Sequence, residues 1–480
     1  MYILLLLLPL LTLDWGRGSL IDPAWFALDV SRGYEDAQLK MYMRATVLVS
    51  EYLVYVPAIV AFLRRYARSQ GIHTWSASMV LVAVLLQPAT LLIDHGHFQY
   101  NTVMLGLAVA SLWAIHAGRI LWSCVFFVGA LGFKQMALYY APVMFAFLLG
   151  ECVAFPRVRV LRLLAISVVT LLAFGALFGP LLVAVVNNNN NGELFVSSPL
   201  PPLMQLLPVQ WDRKTSIVFA PVFQLTQVIH RLFPFSRGIF EDKVANAWCA
   251  IHTFYKLNSR FPQDRLQKFS LAATLSSIIA PCAIIFRHPR PSLLLLSLSC
   301  VSWGFFLFSF QVHEKSVLVP LLPMTLLLSS NGGLSKPSRA WIGWANMLGS
   351  WTLFPLLKRD GLAVPYFVMT LLWAYLLGLP PTSLAVYRAD FNLNNNSNNK
   401  IHILTKLIHS VFYTVMISWH FLEALVPPPI GKPDLWVVAN VLVGAAGFGI
   451  VYLWCLYALI VQSCKLDQQL ADEGKRKKKH

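Results

Sequence analysis

The chain has 480 residues, of which 57% are hydrophobic and only 12% charged, and it carries a formal net charge of +17. An ordinary soluble domain has roughly a quarter of its residues charged, so this composition argues against one and makes lipid the expected solvent. The positive balance does not indicate a nucleic-acid partner: the Lys and Arg residues are scattered through short loops between apolar runs, where membrane topology accounts for them.

The first apolar run, residues 1–13 (MYILLLLLPLLTL), falls short of the roughly 20 residues that a spanning helix needs. It also lacks a cleavage-site pattern, and whether it inserts stays open. From residue 45 onward, apolar runs predict spans near 45–63, 76–93, 101–117, 120–132, 136–154, 160–186, 269–286, 292–310, 316–330, 340–357, 363–379, 403–425 and 436–463. The runs 120–132 and 316–330 are short and are expected to be broken, tilted or re-entrant. The predicted organisation is an all-α polytopic transmembrane protein. It has an N-terminal region 1–44, a multi-span domain 45–463 containing a long loop 187–267, and a basic tail 464–480. Cys124, Cys152, Cys282, Cys300 and Cys455 lie inside apolar runs as small core residues, and no disulfide or metal-ligand spacing is visible among the seven cysteines.

Alternate loops differ in cation content. One set holds Arg64, Arg65 and Arg68; Arg119; Arg157, Arg159 and Arg162; Arg287 and Arg290; Lys336 and Arg339; and the tail KRKKKH. These loops are expected on the cytosolic side. The opposite set, expected to be lumenal, holds every chemically unusual segment, and residues 14–44 fall on that side too. The asparagine-rich tracts 187–192 and 392–400 read as tolerated low-complexity insertions in inter-span loops. Asn395-Asn396-Ser397 matches a glycosylation sequon but falls in a loop expected to be cytosolic. Lysines third and fourth from the C-terminus resemble a dilysine retrieval signal for the endoplasmic reticulum; a generic cationic cluster explains them equally well.

Four segments concentrate polar chemistry. Asp94-His95-Gly96-His97-Phe98-Gln99-Tyr100-Asn101 places an acid, two histidines and amides at the end of a long apolar run. Such a density is costly unless paired or hydrated. An interfacial loop bonded to itself and to water fits it, and so does a sugar or phosphate site. Lys134, in Gly132-Phe133-Lys134-Gln135, precedes an apolar helix whose first amides favour an anion, although snorkelling to headgroups fits as well. Gln311-Val312-His313-Glu314-Lys315-Ser316 is squeezed between two apolar runs. There His313 and Lys315 would meet a lipid-linked phosphate and stabilise the charge that grows as it leaves; a Glu314–Lys315 pair is the plainer alternative. Residues 233–248, with Arg237 among aromatics and charges, read as a surface-lying amphipathic element or as part of a cleft.

The segments DHGHFQYN, GFKQMALYYAP, RLFPFSRGIFEDKVANAWC and QVHEKS, in this order, together with residues 22–51, resemble the dolichyl-phosphate-glucose-dependent glucosyltransferases of N-glycan assembly. The resemblance covers most of the chain. It implies the GT-C fold, residence in the endoplasmic reticulum membrane, a dolichyl-phosphate-glucose donor and a dolichol-linked oligosaccharide acceptor. The FEDKVAN run resembles the branch that adds the first α-1,3-glucose; the branch that adds the second is the near alternative. The implied transfer is inverting and needs neither metal nor cofactor. The resemblance makes His313 the best donor-phosphate contact with Lys315 in support, and Asp94, His95, His97, Lys134, Arg237 and Glu314 possible members of the substrate site. The family's expected general base belongs to an N-terminal loop that this sequence does not match, and Asp14, Asp29 and Glu35 do not replace it, so the expectation is a shortened N-terminus with the base unassigned. A lipid or solute transporter also fits many spans, but it predicts repeated halves and ionisable groups near mid-membrane, whereas the polar clusters here gather at one boundary.

Overall fold

A computed structural model describes residues 22–27, 33–153, 158–189, 200–205, 219–232, 243–388 and 396–477. Among these residues every regular element is helical. Lipid offers no partner for backbone N–H and C=O groups, so each spanning segment must satisfy its own. The longer elements are α1 (Ala37–Ser69), α2 (Thr74–Phe98), α3 (Asn101–His116), α4 (Ile120–Phe133), α5 (Gln135–Val153), α6 (Val160–Asn189), α7 (Phe219–Leu232), α8 (Ala247–Phe254), α9 (Gln263–Arg287), α10 (Pro291–Phe308), α11 (Leu318–Leu326), α12 (Lys336–Thr352), α13 (Phe354–Arg359), α14 (Ala363–Leu377), α15 (Asn396–Leu425) and α16 (Leu435–Lys477). Among the described residues, seven helices are long and apolar enough to cross a membrane by length and composition, while α3, α4 and α14 are apolar but shorter. The chain is an all-α polytopic membrane protein.

The predicted spans fall on helical segments, but 340–357 is divided between α12 and α13, 316–330 holds the short α11 flanked by 3-10 turns, and the boundaries move. The first helix opens at Ala37 rather than near 45. Asn187–Asn189, expected in a loop, continue α6, and Asn396–Lys400 open α15. Once an apolar segment has nucleated a helix, each added residue gains a hydrogen bond, so polar flanks are carried along. The expected loop 187–267 contains α7 and α8. Residues 1–13, like the sequon's Asn395, lie outside the described residues.

The interior is lined by aromatic side chains. Trp303, Trp344, Trp351, Trp373, Phe306 and Phe448 are essentially inaccessible, and Phe448 of α16 stacks on Trp303 of α10 with ring centroids 4.7 Å apart. Of the apolar stretch in α10, 78% is buried inside the protein, against 6% in α6. Thus α10 is central, and α6 turns Leu161, Leu164, Leu171 and Leu172 outward. Between helices in lipid, close backbone approach replaces the hydrophobic drive. A Cβ on Gly106 of α3 would stand 2.8 Å from the Tyr55 Cα of α1, and one on Gly150 of α5 would stand 2.4 Å from the Phe286 carbonyl oxygen of α9.

Three irregularities in α1 and α2 shape the end that carries the first polar segment. Helix α1 widens into a π-turn at Glu51–Tyr55, and α2 breaks before Pro88 and ends in a π-turn at Leu92–Phe98. Pro88 has no N–H to continue the ladder. The Gln87 side chain caps the resumed helix by accepting the Thr90 N–H at 2.7 Å and donates to Asn346 Oδ1 of α12 at 3.0 Å. Asn346 Oδ1 also accepts from Thr325 of α11 at 3.0 Å. This buried amide network fixes the break against two other helices, and with it the direction in which the π-turn emerges.

Candidate functional site

The π-turn Leu92–Phe98 and the start of α3 bring the first polar segment into one network. Asp94 is fully buried; its Oδ1 accepts from Asn101 Nδ2 and its Oδ2 from the Thr102 backbone N–H, both at 2.6 Å. A carboxylate facing the open amides of a helix start is stabilised by charge-assisted bonds. Asn101 Nδ2 also reaches Gln99 Oε1 at 3.1 Å. Lys134, the single residue linking α4 to α5, donates to Gln99 Oε1 at 3.0 Å and Asn101 Oδ1 at 2.5 Å. The network therefore runs from a buried carboxylate through two amides to a half-buried ammonium. Burial lowers the Lys134 pKa to about 8; the Asp94 carboxylate opposes this shift, and the nearby Lys315 ammonium adds to it.

The two histidines of the turn diverge, because residues two apart on a helix do not share a face. His95 Nε2 is paired with Glu51 Oε2, and Glu51 is itself buried on the π-turn of α1. His97 points the other way, its Nδ1 2.6 Å from Asp360 Oδ2. Its Nε2 lies 3.4 Å from Lys315 Nζ. Lys315 sits on the 3-10 turn Glu314–Val317, which Gln311 enters with φ +58°. His313 precedes that turn, exposed, and its carbonyl accepts the Ser316 N–H at 2.9 Å. Below the turn, Tyr140 of α5 donates to the Val319 carbonyl at 2.5 Å and ties α5 to α11.

The fold thus brings Asp94, His95, His97, Lys134 and Lys315 together, with Glu314 on the same short turn as Lys315 and His313 immediately before it. Arg237 lies outside the described residues. Glu51 and Asp360 join the site although the sequence reading passed over both. A signal existed for Glu51, an acid inside a strongly apolar run; Asp360 sits in an ordinary charged turn, Lys358-Arg359-Asp360-Gly361, and gave none. Among the described residues there is no group of three or more His, Cys, Asp or Glu side chains placed to hold a metal. Helices α4, α5 and α6 line an open apolar cavity of about 460 Å³, with Leu131, Phe145, Leu163, Thr170 and Phe174 among its walls. Its lining reaches Leu131, three residues before Lys134. Two neighbouring ammonium groups at helix ends, Lys134 and Lys315, have the chemistry to hold a phosphate whose tail stays in hydrocarbon.

A model of the ALG6, ALG8 glycosyltransferase family matches residues 13–195 and 213–457. The chain is 40% identical over 453 residues to the probable dolichyl pyrophosphate Man9GlcNAc2 alpha-1,3-glucosyltransferase of Schizosaccharomyces pombe, covering 94% of this chain and 78% of that protein. Identity to the Saccharomyces cerevisiae dolichyl pyrophosphate Man9GlcNAc2 alpha-1,3-glucosyltransferase is 38% over 462 residues, 93% of this chain and 78% of the relative. The Gallus gallus protein of the same description is 31% identical over 459 residues, 91% of this chain and 80% of the relative.

Proposed function

This chain belongs to the ALG6, ALG8 glycosyltransferase family, and from that premise we propose that it adds the first α-1,3-linked glucose to Man9GlcNAc2 carried on dolichyl pyrophosphate, with dolichyl-phosphate glucose as donor. The observation that carries this reading is the 40% identity, over nearly the whole chain, to a relative described by that acceptor and linkage. The polar cluster at the helix ends supports it, because the donor's phosphate must sit where water meets hydrocarbon. The protein works in the endoplasmic reticulum membrane with the cluster on the lumenal side and its C-terminus in the cytosol, an orientation supported by the cation-rich alternate loops.

In the proposed transfer, an acceptor hydroxyl oxygen attacks the anomeric carbon of β-linked glucose while the bond from that carbon to the phosphate oxygen breaks. The configuration inverts to α, and dolichyl phosphate leaves with the electron pair. The hydroxyl proton passes to a base that the described residues do not identify. Lys315 and Lys134 stabilise the negative charge that develops on the departing phosphate. His313, exposed immediately before the Lys315 turn, contacts the donor headgroup, and the cavity between α4 and α6 takes up the first isoprene units. The test supplies dolichyl-phosphate glucose together with acceptors bearing no glucose or one. Transfer to the unglucosylated acceptor supports the proposal. Transfer only to the glucosylated one assigns the chain to the second step, and movement of labelled lipid across vesicles without glycosidic bond formation overturns the enzyme reading.

A further inference from the structure

Lys315 does not stand alone at the mouth of the site. Asp360, from the far half of the chain, lies against His97, and His97 lies against Lys315. The chemistry of the two outer partners fixes the ring between them. A carboxylate only accepts hydrogen bonds and an ammonium only donates them, so Nδ1 carries the hydrogen shared with Asp360 and Nε2 offers its lone pair to Lys315. The side chains of His97 and Asp360 are 20% and 27% exposed, which leaves the pair partly shielded from competition by water. The backbone is built to hold this arrangement. Asp360 closes α13, Gly361 turns the chain with φ +75°, and Leu362 comes to rest beneath the π-turn, where a Cβ on Gly96 would stand 2.7 Å from Leu362 Cδ1. The turn 360–362 therefore grips residues 96 and 97 by packing and by hydrogen bonding at once.

We infer that Asp360 is a positioning residue for the donor phosphate: acting through His97, it holds the Lys315 ammonium in the orientation from which it meets that phosphate. This assignment rests on the proposed role of Lys315. The expected consequence is a selective loss of phosphate affinity when the chain Asp360–His97–Lys315 is cut, because an unaimed lysine pays rotamer entropy on binding.

The experiment is a double-mutant cycle on the full chain in lipid nanodiscs. It measures the Kd for a short-chain polyprenyl phosphate, with the melting temperature of each variant recorded alongside. Asp360→Ala is expected to weaken binding about tenfold, the scale at which partners of ligand-holding groups act. Asp360→Asn, whose amide oxygen still accepts from Nδ1, is expected to bind within about twofold of the unaltered protein. In a Lys315→Ala background, Asp360→Ala adds no further loss. Should Asp360→Ala not fold, His97→Ala cuts the same chain and takes its place in the cycle. Wild-type affinity in Asp360→Ala overturns the assignment, as does a loss that persists in full without Lys315. If Lys315→Ala itself binds as tightly as the unaltered protein, the phosphate role of Lys315 fails instead, and that outcome is read from a separate arm of the cycle.

Discussion

Gly106→Ala separates packing from chemistry at this site. The added methyl would meet the backbone of α1, at 2.8 Å from Tyr55 Cα, 3.0 Å from Tyr55 N and 3.1 Å from the Val54 carbonyl carbon. Favourable carbon contacts lie at about 3.5–4.0 Å, so α1 and α3 must part by about 1 Å. No flexible side chain stands there to absorb the move, and overpacking of this kind costs about 1–3 kcal/mol. The displacement reaches Glu51, because the π-turn bond from the Val56 N–H to the Glu51 carbonyl couples the point of contact to it. The Glu51–His95 pair is then expected to shift, and if that pair supports the transfer site, a displacement of about 1 Å would cost up to about a hundredfold in turnover. The control is Gly175→Ala in α6, where a Cβ meets nothing within 4 Å; there the exchange is neutral or gains about 0.5–1 kcal/mol from helix propensity. The assay is paired: thermal unfolding in nanodiscs, and glucosyl transfer at a temperature where both variants are fully folded. If Gly106→Ala melts with Gly175→Ala and retains its activity, the close backbone approach is not what holds Glu51 in place.

Because burial lowers Lys134 to about 8, its ammonium loses its proton as the pH rises through that range rather than above 10. Affinity for a polyprenyl phosphate is expected to fall across it, and Lys134→Arg, which keeps its charge, flattens the profile; superimposable profiles would remove Lys134 from the phosphate pocket. Asn346→Leu deprives the buried Gln87 amide of its acceptor and is expected to destabilise the protein by about 1–3 kcal/mol, read as a lowered unfolding midpoint; an unchanged midpoint would show that the break before Pro88 holds without the network. Cys464 is exposed near the end of α16. In sealed microsomes, with Cys249 and Cys282 changed to Ser, a membrane-impermeant maleimide should label it from outside without detergent. Labelling only after permeabilisation would reverse the proposed orientation.

The sequence alone determined that the chain is helical and lives in lipid, because apolar length and charge depletion report the solvent directly and a spanning backbone has few ways to satisfy itself there. It also marked Asp94, His95, His97, Lys134 and Lys315 as unusual, since each interrupts an apolar pattern at a boundary. What it left open was which of these groups face one another. His95 and His97 are equivalent in spacing, yet one turns to Glu51 and the other to Asp360, because two π-turns and the amide network at Gln87 set their directions through contacts between distant helices. Asp360 shows the reason most plainly. It stands 263 residues from its partner, in a turn that is ordinary by itself, and only the packing of Leu362 under Gly96 delivers its carboxylate to the site. Composition and periodicity are local quantities, whereas the aim of a side chain is a property of the folded bundle.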